Sequence, residues 1–257
     1  LPGLRRTEFT STYADLYALG INQSYLGFVR PFSDRIAIGL DWSSIGYDDK
    51  ELAYSENKLN FAIGFQPHKM FSMGITLKYL MRDMILDDAS YGKGTGIGYD
   101  TGLLIQPLKN LKMGVGLYDL SGTSIAYKDK TTETILGQAF KLGISYMPIN
   151  GLTVAADFGD RVSVGAEYVL ASRVSFRGGI QQGLDLNNEK GILVPSAGVS
   201  LKFKSVVMEY GFESHPYLNP THRFTIALQL SPAVVSITKT TIAHNPIFRS
   251  LHRYYES

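Results

Sequence analysis

The sequence predicts an all-β protein: an antiparallel transmembrane β-barrel of about 14 strands, with short periplasmic turns and a C-terminal periplasmic tail. Three observations carry that prediction. Apolar residues alternate strictly with small or polar ones, in segments that recur roughly every 15 to 20 residues. The connections between segments alternate between short and long, as periplasmic turns and outer loops do in membrane barrels. The composition is rich in Tyr (16), Phe (13) and Gly (26), while no apolar run reaches the ~18 residues of a membrane-spanning helix.

Thr7–Tyr13 is β-prone without a clear facing, and Gly20–Arg30 reads as a second strand of open phase. The turn Pro31-Phe32-Ser33-Asp34 precedes Arg35–Ser43, where Ile36, Ile38, Leu40 and Trp42 share a face. A long polar stretch, 44–57, reads as a loop. Lys58–Gln66 then places Leu59, Phe61, Ile63 and Phe65 together, and a turn at Pro67 leads to Phe71–Arg82 with Met73, Ile75, Leu77 and Tyr79. Residues 83–95 read as a second long loop, followed by Gly96–Gln106. The turn Pro107-Leu108-Lys109 opens the clearest segment, Lys109–Ser121, with Leu111, Met113, Val115 and Leu117 on one face and Lys112, Gly114 and Gly116 on the other.

Residues 123–137 are polar and read as a loop. Five more alternating segments follow, anchored by Phe140–Tyr146, Leu152–Phe158, Val162–Tyr168, Val174–Ile180 and Ala197–Phe203. Val206–Phe212 and Phe224–Leu230 complete the set. These are about fourteen segments of roughly 9–11 residues, the length that crosses a bilayer when tilted. A soluble sandwich or propeller would also alternate. Its second face would carry Lys, Glu and Arg, whereas here that face is mostly Gly, Ser, Ala and Thr, which suits a narrow lumen. The barrel is assigned to residues 1–231. Residues 232–257 are assigned to a periplasmic tail ending in a helix, with Ile247, Leu251 and Tyr254 at helical spacing. SLHRYYES resembles the start of a tetratricopeptide helix, so a helical-repeat domain following the tail and a simple ordered tail both stand as readings.

Composition narrows function. A net charge of +2 with no basic block argues against a nucleic-acid partner. The absence of Cys excludes disulfides, thiol chemistry and Cys-based metal sites. No signal peptide stands at Leu1, which leaves an envelope location open if a leader was removed or the chain cut. No Ser-His-acid set falls on neighbouring strands, so no catalytic residue is assigned, and no cofactor is implied. Glu213, His215 and His222 are too loosely spaced for a metal site. The run GKGTGIG lacks the Lys-Ser/Thr ending of a phosphate loop and reads as a loop entering a strand with inward glycines.

Alternation places Asp41, Lys78, Asp100, Lys112, Lys141, Asp157, Glu167, Arg177, Lys202, Glu209 and Arg223 inside the barrel. On neighbouring strands Glu167 falls beside Arg177, Lys202 beside Glu209 and Arg223, and Lys112 between Asp100 and Lys141. Such a set is either a charged constriction that selects solutes or a paired network that fills and stiffens the barrel, and pairing favours the second. Trp42, Tyr118, Tyr146, Tyr168 and Tyr210 lie near strand ends, where aromatic girdles form.

The order of several motifs adds a resemblance. They are the opening LPGL, then GITLKYL, GYDTGLLIQP, NLKMGVGLYDLSG, VGAEYVLASRVSFRGGI and VVMEYGFESHPYLNPTHRFTIAL. Together they resemble the PorV-like branch of the FadL outer-membrane barrel superfamily, over nearly the whole span from Leu1 to Leu230. The resemblance implies a 14-stranded barrel in the bacterial outer membrane, and the short turns, joining even to odd strands, put both termini on the periplasmic side. FadL-type members carry hydrophobic compounds past an N-terminal hatch. PorV-type members serve type IX secretion and surface attachment. Only about six residues precede the first strand here, unlike the long FadL hatch. The leading expectation is therefore a non-enzymatic partner of a secretion or surface-export complex, in contact with outer-membrane lipid and other envelope proteins. The alternative is a transporter with a hydrophobic small-molecule ligand.

Overall fold

The computed structural model describes residues 6–49, 52–86, 89–127, 132–183 and 192–230 of the chain. Among them are sixteen strands: β1 (Thr7–Leu16), β2 (Ile21–Pro31), β3 (Ile36–Asp48), β4 (Leu52–His68), β5 (Phe71–Leu86), β6 (Ala89–Leu108), β7 (Leu111–Tyr118), β8 (Thr123–Tyr127), β9 (Thr132–Leu136), β10 (Ala139–Ile149), β11 (Leu152–Phe158), β12 (Arg161–Leu170), β13 (Val174–Gly183), β14 (Leu193–Phe203), β15 (Val206–Glu213) and β16 (Thr221–Leu230). Each barrel strand pairs antiparallel with its sequence neighbours, apart from β7, which skips to β10. β1 meets β16 in register Thr7 opposite Leu230, closing the ring. The result is a closed 14-stranded antiparallel β-barrel, with β8 and β9 forming an extra hairpin hydrogen-bonded to β6.

The alternation decides which face points out. Leu40, Phe61, Ile75, Met113, Val115, Phe140, Val164, Phe176, Met208 and Ile226 all stand exposed on the outer surface. The buried side chains are instead largely polar: Lys58, Asn60, Ser72, Lys78, Lys141, Ser145, Thr153, Glu167, Ser200, Thr221 and Gln229 line the interior. This inverts a soluble protein, because the solvent outside is acyl chain and the polar groups must find one another inside. The two strands of open phase obey the same rule, with Phe9, Tyr13 and Leu26 exposed on the outside. Placing a charge on this surface is expensive. Val115→Lys is expected to cost about 2–4 kcal/mol of folding free energy in phospholipid vesicles, measured by urea titration, because the residue sits mid-strand.

The connections at one end are short. They span Phe32–Arg35, Lys69–Met70, Lys109–Asn110, Asn150–Gly151, Ala171–Arg173 and Lys204–Ser205. Ala171, Ser172 and Lys204 adopt the left-handed region (φ 49°, 58° and 52°), as does Gly151 (φ 89°), which lets two-residue turns match strand twist. Residues 231–257, including the tail assigned from sequence, lie outside the described residues, as does the LPGL opening.

Three stretches read as loops are different in the structure. Residues 44–49 and 52–57 continue the β3–β4 pairing, and 83–86 and 89–95 the β5–β6 pairing. The ladder simply runs on past the alternating region, so β4, β5 and β6 reach 17, 16 and 20 residues. Residues 123–137 contain the β8–β9 hairpin. GKGTGIG is strand rather than loop, with Gly94, Gly96 and Gly98 facing inward.

Candidate functional site: the lumen and its mouth

The most enclosed part of the lumen lies where β7 leaves its ladder. β6 pairs with β7 up to Thr101 opposite Leu117, and with β8 from Gly96 opposite Ile125. The segment between turns inward through Asp119 (φ 50°) and Gly122 (φ 63°), closed by Gly122 N–H donating to Asp119 O at 2.7 Å. Glycine makes room for it: a Cβ at Gly98 would overlap Thr123 Oγ1 and stand 3.0 Å from Lys78 Cε. Lys78 Nζ, from β5, holds the bulge from the wall. It donates to Asp119 and lies 2.7 Å from Asp100 Oδ1. The Asp119 N–H donates to Asp100 Oδ1 (2.9 Å), and Thr123 Oγ1 donates to Asp119. Lys78 and Thr123 are fully buried, as are Leu80 and Ile125 on the same inner face.

A second cluster crosses the later strands. Arg177 and Glu167 are direct cross-strand partners joined through Nε and Oε2. Arg177 Nη1 also lies 3.4 Å from Glu209 Oε1, and Nη2 donates to Ser200 Oγ at 3.4 Å. Nearby, Lys202 Nζ donates to Gln229 Oε1 (2.9 Å), whose amide donates to Glu8 (3.0 Å). Lys202 faces Val207 and reaches Gln229, while Glu209 faces Ser200 and joins Arg177, and Arg223 stands opposite Gly211.

The expected placement of Lys112 between Asp100 and Lys141 also changes. Lys112 is opposite Ser145, near the turn end, and Lys141 is opposite Gly116. Asp100, opposite Thr76, belongs instead with Lys78. Lys141 Nζ sits 5.2 Å over the Tyr118 ring, so Tyr118 points into the lumen and leaves the outer girdle. Asp157 lines the wall between Gly143 and Ser163. Asp41 accepts from Asn60 Nδ2 at 2.7 Å.

A third set, missed because 44–57 reads as a loop, joins β4 and β5. Glu56 accepts from Arg82 and from Tyr54 at 3.0 Å each, and lies 3.5 Å from Lys58 Nζ. The signal was present in the sequence as Glu56, Lys58 and Asn60 at strand spacing on one face. Among the described residues His215 packs edge-on to Tyr17, and His222 bonds Tyr210 Oη at 2.7 Å; neither joins a group of metal-ligand type.

Above this polar wall the mouth is oily. Leu19, Ile21, Ile45, Tyr47, Leu52 and Tyr54 line a cavity of about 470 Å³ on the inner face at the loop end. Ile45, Tyr47, Leu52 and Tyr54 lie on the β3–β4 hairpin, on the same inward row as Asp41, Glu56 and Lys58. The volume suits a small apolar molecule, and the lining offers few polar groups to compete with water.

A closed 14-stranded barrel with an apolar exterior, a polar lumen and short turns at one end is the architecture of an outer-membrane β-barrel. No protein-family model matches the chain, and no curated protein matches it. Among solved structures it is similar to the CymD monoaromatic hydrocarbon channel, at 14% identity and a TM-score of 0.61, covering 88% of each chain. It is similar to a Pseudomonas aeruginosa FadL homologue, at 10% identity and a TM-score of 0.60, over 88% of this chain and 90% of that one. The Pseudomonas putida toluene transporter TodX gives 9% identity and a TM-score of 0.61 over 88% of each chain. The chain has the fold of these FadL-type barrels.

Proposed function

We propose that this protein is a FadL-like channel that carries hydrophobic small molecules across a bacterial outer membrane, with its termini and short turns on the periplasmic side. The observation that carries the reading is the apolar cavity at the loop-end mouth, set in a lumen wall that is otherwise polar. Capture there strips water from an apolar solute before it meets the polar wall, and each buried aliphatic contact strengthens that capture. The named activities of the solved barrels, a monoaromatic hydrocarbon channel and a toluene transporter, support the same substrate class. The interior charges Asp100, Lys112, Lys141, Asp157, Glu167, Arg177, Lys202, Glu209 and Arg223 are read as wall-stiffening groups rather than a solute filter, because partners already occupy the most buried of them.

Toluene uptake by cells carrying Ile21→Asn with Ile45→Asn tests the proposal. Uptake is expected to fall at least about tenfold while the barrel still folds, the loss of two apolar contacts. Unchanged uptake sinks it. The secretion-partner reading rests on sequence motifs, and the structural neighbours favour the channel over it. Recovery of a stable large envelope partner under mild detergent, with wild-type toluene uptake absent, would reverse that order.

A further inference from the structure

The charge of this barrel is divided between its two ends. In the short turns and the strand ends beside them, the described residues carry Arg30, Arg35, Lys69, Lys109, Arg173 and Lys204 against one acid, Asp34. All six cations are exposed. At the loop end the balance reverses: Asp15, Asp48, Asp49, Glu56, Asp83, Asp160 and Glu213 stand against Arg82, Lys93 and Arg161. The overall net charge of +2 hides this separation.

The cationic turns also bear exposed apolar side chains. Phe32 is 75% exposed, Leu108 58% and Phe203 68%, each within a few residues of a cation. Lys204 Nζ lies 5.6 Å over the Phe203 ring. Tyr146 and Tyr168, outward and opposite the first residues of β7 and β11, stand just inside this rim. An aromatic at headgroup level, an apolar anchor and a cation beyond it match the depth profile of a phospholipid: acyl chain, glycerol, phosphate.

We infer that the turn end is a binding rim for anionic phospholipid headgroups of the leaflet it occupies, an inference that rests on the membrane-barrel reading. Distribution decides for lipid over a docked protein. The cations sit in the turns after β2, β4, β6, β12 and β14, leaving only the β10–β11 turn without one. A lipid annulus contacts the whole perimeter, whereas a protein partner would meet one side of it.

The test uses the full chain refolded into phosphatidylcholine vesicles, then extracted into equimolar phosphatidylcholine and phosphatidylglycerol micelles. Heat-dependent gel mobility in the pure phosphatidylcholine vesicles reports the barrel itself. Native mass spectrometry then counts retained lipids. Wild type is expected to retain phosphatidylglycerol preferentially. Lys69→Gln, Lys109→Gln, Arg173→Gln and Lys204→Gln should each lower that preference by up to about fivefold, the ratio equivalent to about 1 kcal/mol per surface cation. The combined variant should erase it, and Lys93→Gln at the loop end should leave it intact. A folded wild-type barrel with no preference, a combined variant that keeps it, or displacement of the lipid by millimolar inorganic phosphate would each overturn the inference.

Discussion

Replacing Lys78 with Met is expected to destabilise the folded barrel by about 3–5 kcal/mol, because it leaves two buried carboxylates facing each other without their cation. Asp100 and Asp119 side chains are 13% and 5% exposed, and Lys78 is the group between them. The loss should be local as well as global. Without Lys78 the Asp119–Gly122 bulge has no charge tying it to β5, so limited proteolysis between β7 and β8 should accelerate. Combining Lys78→Met with Asp100→Asn and Asp119→Asn should recover most of the stability, since removing every member of a buried set costs far less than removing one. Urea titration in vesicles measures both effects. A single-variant loss below about 1 kcal/mol, the range of exposed ion pairs, would show that water reaches this cluster freely.

Arg177→Met should produce the second largest loss. Arg177 joins Glu167 and Glu209, whose side chains are only 8% and 9% exposed. Its removal takes away the guanidinium that bonds both acids, again about 3–5 kcal/mol. The triple variant with Glu167→Gln and Glu209→Gln should be close to wild type at neutral pH. These measurements also separate the two roles considered for the interior charges. A solute filter would change toluene uptake with heat stability untouched, whereas a stiffening network would lower the unfolding temperature first.

The barrel was legible in the sequence because lipid and lumen impose opposite demands on alternate residues. Leu111, Met113, Val115 and Leu117 cannot exchange places with Lys112 without a slip that reverses every side chain. The signal fades at the loop end, where the outward face of β3 turns to Ser44, Gly46 and Asp48 and the inward one to Ile45 and Tyr47, which is why the upper parts of β3–β6 read as loops while their backbone ladder continues. The interior face of each charge was readable from the same period. Its partner was not, because partnership depends on register between strands, and neither the slope of a barrel nor its bulges are written in one strand. Thus Asp100 was placed beside Lys112 when it belongs with Lys78, and Asp119, in a bulge with no alternation, gave no sign of its role. Tyr118 was misassigned for a related reason: Gly116 beside it leaves the space for an inward ring.

The inward bulge has one more consequence, for the thickness of membrane this barrel tolerates. Among the described residues β9 ends the hydrogen-bonded order of strands. Hydrocarbon does not admit open edges or unpaired irregular backbone. The bulge meets that demand by turning into the lumen, and the regular ladder of β7 ends at Tyr118 on this side. β7 from Leu111 to Tyr118 has 8 residues, about 26 Å along the strand and roughly 20 Å once tilted. That is less than the ~25 Å apolar band usual for such barrels, so the bulge acts as a depth gauge. It sorts this protein toward thin bilayers, the kind that bacterial outer membranes provide.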